Sequence, residues 1–291
     1  MKTAEVRKRR KISLGQPLIF ILLSIWALTT TYPIIWVVLN SFKDRRVILS
    51  NSFRLPFGEF FTMDNYRLAF QRVNILSAYK NSLIISGSVA IIVLLLAGLA
   101  SYVLVRYEFF SKKMLYSLVI AGMMFPVFST IIPVFQMQYS WGIVNTNKLG
   151  LSLLSTILPQ IAGNMSFAIV VLMGYIKSIP IELEEAAYME GCNILHIFFR
   201  VIVPLTKPSF ATVAIFSFLW SYNDLFTQMF FLRTKNQWAI TVLLNQLTSQ
   251  EGTNYGLMAA AVTLVVIPIL ILYVFLQKYI IKGMTAGAIK G

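Results

Sequence analysis

Residues 180–204, PIELEEAAYMEGCNILHIFFRVIVP, lie between two long apolar segments and are the most informative stretch of the chain. Their charge and their position indicate a loop at a membrane face, where a soluble partner can dock. Pro180 suits the first turn of a helix because it has no N–H to leave unpaired, and the glutamates that follow suit the positive end of the helix dipole. Gly191 offers the left-handed backbone that ends a helix at little cost. We therefore predict a helix, a turn at Gly191 and a second helix.

The second half of this stretch has the pattern of a half-buried helix. Its apolar residues recur at helical spacing, at Ile194, Ile197, Phe198, Val201 and Ile202. We expect this side to pack against another part of the protein. Pro204 and Pro208 then mark the start of the next apolar segment.

The glutamates of the stretch, together with its histidine, are the one cluster that suggests acid–base or metal chemistry. The cluster consists of Glu182, Glu184, Glu185, Glu190 and His196. Carboxylates with a single histidine make a poor zinc site, and the neighbours Glu184 and Glu185 point to different sides of a helix. We therefore predict a solvated or partner-facing helix, with no catalytic residue and no metal site.

The composition is that of an integral membrane protein. Apolar residues make up 57% of the 291 residues and charged residues only 12%, and the mean hydropathy is +0.73. The formal charge of +14 does not indicate nucleic-acid binding, because the basic residues fall between apolar runs and form no separate basic domain. The single Cys192 and the single His196 exclude a disulfide framework and a multi-Cys or multi-His metal cluster within the chain.

Charge-poor windows of about 20 residues, the length that crosses a bilayer core, predict an all-α integral membrane protein with six transmembrane helices. We place these helices at about residues 17–40, 82–105, 114–139, 153–176, 208–232 and 255–277. The resulting regions are a cytoplasmic N-terminal tail at 1–16, a transmembrane domain at 17–277 with a cytoplasmic loop at 178–207, and a cytoplasmic C-terminal tail at 278–291.

Small residues and prolines modify these helices. Gly87, Ala97 and Gly98 should let other helices approach the second span closely. Pro126 and Pro133 should kink the third span. The fourth span also contains a proline, so the third and fourth are candidates to line a path through the membrane.

The distribution of Lys and Arg places both termini in the cytoplasm. The predicted inner side holds the basic residues of 1–11 and Arg106, Lys112, Lys113, Lys177, Arg200, Lys207, Lys278, Lys282 and Lys290. The first outer loop disagrees, because residues 43–80 carry Lys43, Arg45, Arg46, Arg54, Arg67, Arg72 and Lys80. We keep this loop outside, since the later spans fix the parity and a long loop obeys the charge rule only weakly.

A polar group within the fifth span suggests a ligand path. Asp224 is the one acid inside an apolar span, where charge is costly and a functional role is the default. The candidates for the path are Asn164, Trp220, Tyr222, Asn223 and Asp224. Their polar groups would bond a polyhydroxyl ligand, while Trp220 would stack on a sugar ring. The alternative is that Asp224 lies at the outer interface or pairs with a neighbouring subunit.

The small residues at the C-terminus follow the last predicted span. Gly283 and Gly287 have the Gly-x-x-x-Gly spacing that drives helix dimerisation in lipid. They lie beyond Lys278 and Lys282, and therefore outside the lipid. We predict instead a flexible tail that can enter a narrow crevice of a partner protein.

The loop and the tail together resemble the permease subunits of ATP-binding-cassette importers, in the carbohydrate branch typified by the smaller permease of the maltose importer. The family's loop motif, Glu-Ala-Ala-x3-Gly-x9-Ile-x-Leu-Pro, is matched at Glu185, Ala186, Ala187, Gly191 and Pro204. Its Trp-Asn-Asp/Glu element is similar to Tyr222-Asn223-Asp224. Its Lys-Gly-x-x-x-Gly-Ala-x-Lys-Gly ending is matched at Lys282, Gly283, Gly287, Ala288, Lys290 and Gly291.

The resemblance implies the type I importer permease fold and a role for each motif. Glu185, Ala186, Ala187 and Gly191 would form a coupling helix that fits a cleft in an ATPase subunit, which makes 178–207 the coupling loop. The tail at 283–291 would reach between ATPase subunits, and residues 233–254 would face an extracellular solute-binding protein. The implied partners are a second permease, two ATPase subunits that bind ATP and Mg, and that binding protein, in the bacterial cytoplasmic membrane.

We therefore predict a permease subunit, not an enzyme and without its own cofactor, that forms half of the pathway for a sugar, expected to be an oligosaccharide. The sequence contains no Walker phosphate-binding loop, nucleophile elbow or His-Glu-x-x-His pattern, so the energy has to come from a partner. The alternatives are an ion-coupled secondary transporter, which would want ionisable residues in several helices, and a membrane-embedded enzyme that uses the glutamate cluster.

Overall fold

The computed structural model describes residues 15–72, 74–144, 146–250 and 254–288, and no strand occurs within these ranges. In chain order the helices are α1 (Gly15–Ser41), α2 (Arg45–Ser50), α3 (Asp64–Arg72), α4 (Ile75–Arg106), α5 (Lys112–Gly122), α6 (Val127–Ser140), α7 (Leu149–Ile176), α8 (Glu182–Met189), α9 (Ile194–Ile197), α10 (Val203–Leu205), α11 (Lys207–Asn223), α12 (Leu225–Phe231), α13 (Ile240–Gln250) and α14 (Tyr255–Ala288). A 3-10 turn covers Gly58–Phe60, and a π-helical turn covers Phe198–Ile202.

Four helices in the described part of the chain are long and apolar enough to cross a membrane, namely α1, α4, α7 and α14. They cover the first, second, fourth and sixth predicted spans. A fifth crossing results if Ile194–Leu205 and Lys207–Asn223 are counted together, although the chain bends by 84° between them.

The third and fifth predicted spans are each built from two shorter helices. α5 and α6 are separated at Pro126, which has an extended backbone (φ −71°, ψ 128°), whereas Pro133 lies inside α6. Proline cannot donate the backbone hydrogen bond of a continuous helix, so Pro126 breaks the span rather than kinking it. α11 and α12 are separated at Asp224, where the backbone is again extended. The all-α membrane fold is confirmed, and the count of six spans stays a prediction.

The chain divides into two compact units. Unit 1 comprises Met1–Ala69 and Glu251–Thr263, as far as these are described, and unit 2 comprises Phe70–Gln250 and Leu264–Gly291. Within unit 2, α4 packs most extensively against α7 and α11. The apolar core between these helices includes the fully buried Val93 of α4, Leu172 of α7 and Val213 of α11.

Small residues bring α4 close to its neighbours, as is typical of membrane helices. The Ser101 hydroxyl donates to the Ile169 carbonyl of α7 at 3.1 Å, and Ala97 is fully buried. A Cβ atom at Gly98 would lie 3.0–3.1 Å from two aromatic rings, which confirms the close approach expected there. At Gly87 no other helix of the described chain approaches closely, because a Cβ atom there would have no neighbour within 4 Å, and the close approach expected there stays a prediction.

Unit 1 contains a group of polar contacts at the end of α1. The Lys43 ammonium is buried and donates to the Asn40 side chain at 3.1 Å and to the Ser52 carbonyl at 2.8 Å. This burial lowers the pKa of Lys43. Asn65 of α3 donates to the carbonyls of Ser41 and Lys43 at 2.9 and 2.8 Å. Lys43 of the basic first loop therefore stabilises the packing within unit 1.

Two helical regions extend beyond the prediction. α13 lies inside residues 233–254, which the sequence patterns indicated only as a loop. α14 continues past the predicted end at Gln277 to Ala288, so the flexible tail is wrong for the backbone of 283–288. Glycine weakens a helix by only about 1 kcal/mol, and a long preceding helix has already met the cost of nucleation. Lys290 and Gly291, also assigned to the tail, lie outside the described residues.

Candidate functional site

Helix α8 and the turn after it take the form that the sequence predicts. Three glutamates occupy the first turn, and the helix ends at Met189. Gly191 has a φ angle of +84°, in the left-handed region. The amides of Gly191 and Cys192 donate back to the carbonyls of Tyr188 and Ala187 at 2.9 and 3.1 Å, which satisfies carbonyls of the last helical turn.

Most of α8 is exposed, and its exposed residues combine acidic with apolar side chains. Glu185 and Ala186 are exposed, and Ala187 is half-buried. The large apolar side chains exposed around them are Ile181, Leu183, Tyr188, Met189, Ile194, Leu195 and Phe199. We call Glu185, Ala186 and these seven apolar residues the α8 surface. Ile181, Tyr188, Met189 and Ile194 border one depression, and exposed apolar groups gathered in this way are typical of a protein-docking site.

The segment after Gly191 packs inward, as its spacing predicts. Ile197, Phe198 and Ile202 are buried, at 4%, 1% and 0% exposure. Ile194 departs from the prediction, because it is 49% exposed and belongs to the α8 surface. One turn of the loop therefore faces outward, and the rest joins the core of unit 2.

A π-helical turn precedes Pro204. Within it the Val203 amide donates to the Phe198 carbonyl, five residues back. The nitrogen of Pro204 carries no hydrogen to donate to the carbonyl of Arg200, so the regular α-helical pattern cannot continue there. Pro204 itself is exposed in α10.

Glu184 fastens α8 to the last turns of α4. Its Oε1 atom accepts a hydrogen bond from Arg106 Nε at 2.6 Å, and its Oε2 atom accepts one from the Tyr102 hydroxyl at 2.9 Å. Arg106 also donates from Nη2 to the Ile179 carbonyl at 2.9 Å. The Arg106 and Glu184 side chains are only 11% and 9% exposed. We call Tyr102, Arg106 and Glu184 the α8 anchor; Glu185, the next residue, points outward as expected.

A cleft of about 350 Å³ is lined by residues of α6, α7, α11 and α12 and by Asp224 between the last two. Three of the predicted path residues meet there, namely Asn164, Trp220 and Asp224, together with Gln160 of α7. Its volume lies in the range of small-molecule sites. Among the described residues no group of three or more His, Cys, Asp or Glu side chains is arranged as metal ligands would be.

Asp224 accepts hydrogen bonds on both of its carboxylate oxygens. Oδ1 accepts from the Thr227 amide at 3.0 Å and so caps α12, and Oδ2 accepts from Gln160 Nε2 at 2.9 Å. The Gln160 Oε1 atom accepts in turn from the Ser221 hydroxyl at 2.5 Å. Asp224 is half-buried. It is therefore a structural helix cap and a wall of the cleft at the same time.

Asn164 and Trp220 differ in how far they are open to the cleft, since Asn164 is buried and Trp220 is 46% exposed. The Asn164 amide donates to the Gln160 carbonyl at 2.7 Å, and its Oδ1 atom has no hydrogen-bond partner in the described chain. Trp220 is 46% exposed and packs edge-on against Phe167, with ring centroids 4.7 Å apart. An open indole is a group on which a sugar ring can stack, whereas the unpartnered Asn164 oxygen is buried beneath the cleft surface.

Tyr222 and Asn223, the other two predicted path residues, do not line the cleft. Tyr222 is 4% exposed and stacks on Phe218, and Asn223 is exposed and donates to the Leu219 carbonyl at 2.9 Å. Successive residues of a helix point about 100° apart, so the neighbours of Asp224 cannot all face one side.

Sequence reasoning missed Gln160 and the α8 anchor. Gln160 lies four residues before Asn164, so the two amides share one face of an apolar helix, and this spacing was an available indication. Arg106 lies at the end of a charge-free span, where a cation is expected to pair with an acidic side chain. Which of the glutamates of α8 faces it depends on how the loop packs, which the spacing does not determine.

Comparison with known proteins gives sequence matches that cover most of the chain. A profile of the family described as "Binding-protein-dependent transport system inner membrane component" matches residues 94–286. The diacetylchitobiose uptake system permease of Streptomyces coelicolor is 32% identical over 271 residues, which are 92% of this chain and 87% of that protein. The galactooligosaccharides transport system permease of Bacillus subtilis is 30% identical, over 99% of both chains.

Solved structures share the fold. A chain of a bacterial transporter that imports the acidic polysaccharide alginate matches with a TM-score of 0.76 at 22% identity, over 93% of this chain and 99% of that chain. A chain of the alginate transporter in complex with a pentasaccharide-bound periplasmic protein matches with a TM-score of 0.66 at 16% identity, over 90% and 92%.

Proposed function

Because the chain belongs to the family of binding-protein-dependent transport system inner membrane components, we propose that it is a permease subunit of an ATP-binding-cassette importer for an oligosaccharide. The cargo is supported by relatives named for diacetylchitobiose and for galactooligosaccharides. The observation that carries the proposal is the α8 surface, an exposed apolar and acidic helix fixed to the end of a membrane helix.

The α8 surface is the contact for an ATPase subunit in this proposal. Glu185, Ala186 and Ala187 lie along the helix, Gly191 turns the chain, and Pro204 ends the loop before α11. Met189 at 85% exposure is the apolar side chain best placed to enter a partner cleft. Closure of two ATPase subunits on ATP would then displace α8.

The remaining partners follow from the same proposal. A second permease completes the pathway, an extracellular solute-binding protein delivers the sugar, and the ATPase subunits hold ATP and Mg. Both termini lie in the cytoplasm, where the end of α14, with Gly283 and Gly287, and the final Lys290 and Gly291 meet the ATPases. The domain limits 1–16, 17–277 and 278–291 belong to this proposal as well.

The cleft forms this chain's part of the sugar path. Trp220 offers an open ring and Asp224 a carboxylate at one wall, and the buried, unpartnered Asn164 oxygen becomes an acceptor when its side chain moves toward a ligand. Gln160 joins them, because it holds Asp224 and supplies the carbonyl that orients Asn164. Tyr222 and Asn223, which lie outside the cleft, support the helix rather than the ligand.

The substitution Glu185→Lys tests the proposal. The chain is produced with the second permease, ATPase and binding protein encoded beside it, and the complex is reconstituted into liposomes. We expect binding-protein-stimulated ATP hydrolysis and uptake of labelled galactooligosaccharide to fall about tenfold or more, since a reversed charge at the centre of a docking surface is strongly unfavourable.

The matched control is Glu59→Lys, which makes the same change at an exposed position of the first loop, outside the α8 surface. It should retain uptake close to the unmodified complex. Equal uptake by both variants and the unmodified complex would show that α8 does not dock an ATPase. If the unmodified complex shows no ATP-dependent uptake of any labelled oligosaccharide, the importer assignment itself fails.

A further inference from the structure

The α8 anchor and one aromatic contact hold both arms of the glycine turn to the same helix. On the arm before Gly191, Glu184 bonds to α4 through Tyr102 and Arg106. On the arm after it, the Phe198 ring packs against the Tyr102 ring, with centroids 5.6 Å apart. Tyr102 and Phe198 are 3% and 1% exposed. Tyr102 therefore contacts both arms at once, one through its hydroxyl and one through its ring.

This arrangement matters because the glycine turn is a weak mechanical link by itself. Glycine allows many backbone conformations, so a displacement of α8 alone would be absorbed at Gly191. With both arms fixed to Tyr102 and Arg106, the arms and the last turns of α4 move as one body. α4 in turn packs against α7, which carries Gln160 and Asn164 at the cleft.

We propose that Glu184, held by Arg106 and Tyr102, is the positioning residue that fixes α8 rigidly to α4, so that a displacement of α8 moves α4 instead of bending the glycine turn. The inference rests on the proposed docking of an ATPase at the α8 surface and assigns the transmission to a contact inside this chain. Glu185 then serves the partner, and its neighbour Glu184 serves the membrane helices.

A buried charge pair suits this task better than an apolar contact. Apolar surfaces slide past one another at little cost, whereas a carboxylate that leaves a buried guanidinium creates an unpaired charge. The position of Arg106 in the last turn of α4 adds the attraction of a cation to the helix C-terminus. The ion pair of Arg106 and Glu184 therefore determines both how strongly α8 is held to α4 and which side chains meet.

Glu184→Gln tests the proposal, because it keeps the shape of the side chain and removes its charge. Tyr102→Phe removes one hydrogen bond and keeps the ring contact with Phe198. The exchange of Glu184→Arg with Arg106→Glu restores a pair of opposite charges. Glu182→Gln, the same change at an exposed position of α8, is the matched control.

The first measurement does not depend on any partner. Cys192 is the single cysteine of the chain and follows the glycine turn directly, so a nitroxide spin label there reports on the mobility of the turn. In the purified full chain, we expect a shorter rotational correlation time in Glu184→Gln and in Tyr102→Phe. The label in Glu182→Gln should match the unmodified chain.

The second measurement is the number of sugar molecules taken up per ATP hydrolysed by the reconstituted complex. We expect this ratio to fall about tenfold in Glu184→Gln, a size typical of coupling between distant sites. ATP hydrolysis should continue, because the α8 surface is intact. A residue that serves folding alone would lower the amount of complex and leave this ratio unchanged.

The outcomes separate the inference from the function on which it rests. No ATP-dependent uptake by the unmodified complex overturns the proposed function, and the spin label still tests the anchor. Coupled transport by Glu184→Gln at the unmodified ratio, with unchanged mobility at Cys192, overturns the inference alone. Lower yield with an unchanged ratio overturns it too. If Glu184→Gln does not accumulate, Tyr102→Phe and the charge-exchanged pair decide by the same two measurements, and partial recovery in the pair supports the proposal.

Discussion

At the scale of single residues, the two partly or wholly buried carboxylates of unit 2 have different surroundings. Glu184 accepts from a guanidinium and a phenol, whereas Asp224 accepts from a backbone amide and the Gln160 side chain. Both donors to Asp224 are neutral, so these bonds orient its charge without cancelling it. A carboxylate held in this way at a cleft is suited to accept hydrogen bonds from hydroxyl groups of a ligand.

Asp224 should have separable effects on stability and on transport. In Asp224→Asn the side-chain oxygen can still cap α12, so we expect the free energy of unfolding to fall by less than about 1 kcal/mol. Asp224→Ala removes the cap, and we expect the free energy of unfolding to fall by about 1 kcal/mol. Both variants should lower sugar uptake, measured in liposomes beside thermal unfolding in detergent. Normal uptake by both, with only Asp224→Ala less stable, would reduce Asp224 to a helix cap.

Gly256 in the first turn of α14 is packed tightly within unit 1. An added Cβ atom would lie 2.7 Å from both the Lys43 carbonyl oxygen and Asn65 Nδ2. Gly256→Ala must therefore displace Asn65 from its hydrogen bonds, and we expect a loss of about 1–3 kcal/mol in the free energy of unfolding. Gly87→Ala, with open space around it, is the control and should be neutral or stabilising in thermal unfolding. Equal losses in both would contradict this account of the packing.

At the scale of elements, the breaks in the helices differ in how far the sequence reveals them. The sequence predicts the helix end at Gly191, and that break occurs; at Pro126 it predicts only a kink, whereas the structure breaks the span there. The sequence does not predict the helix break at Asp224, because an acid at this position is equally compatible with a buried charge inside a continuous span. The sequence also does not predict the π-helical turn before Pro204. A single π-helical turn changes the spacing of apolar residues very little from that of a regular α-helix.

Gly191, the single glycine of residues 178–207, should tolerate substitution poorly. An alanine at its φ of +84° costs about 1–2 kcal/mol, because the Cβ atom meets the following carbonyl in left-handed backbone. Gly191→Ala should therefore lower thermal stability and sugar uptake, and the branched Gly191→Val should lower both further. Gly174→Ala, inside α7 with no neighbour within 4 Å in the described chain, is the control. Full uptake by Gly191→Val would show that the turn is not needed for coupling.

At the scale of the whole molecule, composition and motif spacing predict the membrane class, the all-α fold and the loop that leads to the family. They predict less about how helices meet. The pairing of Glu184 with Arg106 joins residues far apart in sequence, and Gln160 reaches Asp224 across two helices. Such contacts depend on the relative rotation of packed helices, which an all-round apolar helix does not encode in its pattern.

The topology of the whole molecule depends on whether α5 and α6 cross the membrane together. The third predicted span consists of α5 and α6 with a break at Pro126, and each half alone is too short to cross about 30 Å of hydrocarbon. If the two halves cross together, Phe57 and Cys192 are separated by three crossings. If they return to the same face, the number of crossings between these residues is even.

Labelling of cysteines with a membrane-impermeant maleimide decides between the two topologies. In membranes that contain the chain without its ATPase, we expect Cys192 to react only in inside-out vesicles. Phe57→Cys, at an exposed position of the basic first loop and combined with Cys192→Ser, should react only in right-side-out vesicles. That result would establish that the basic first loop is external despite its charge, and that the later spans fix the orientation of the chain. Reaction of both cysteines from the same side would instead make α5 and α6 a re-entrant pair and remove the six-span topology.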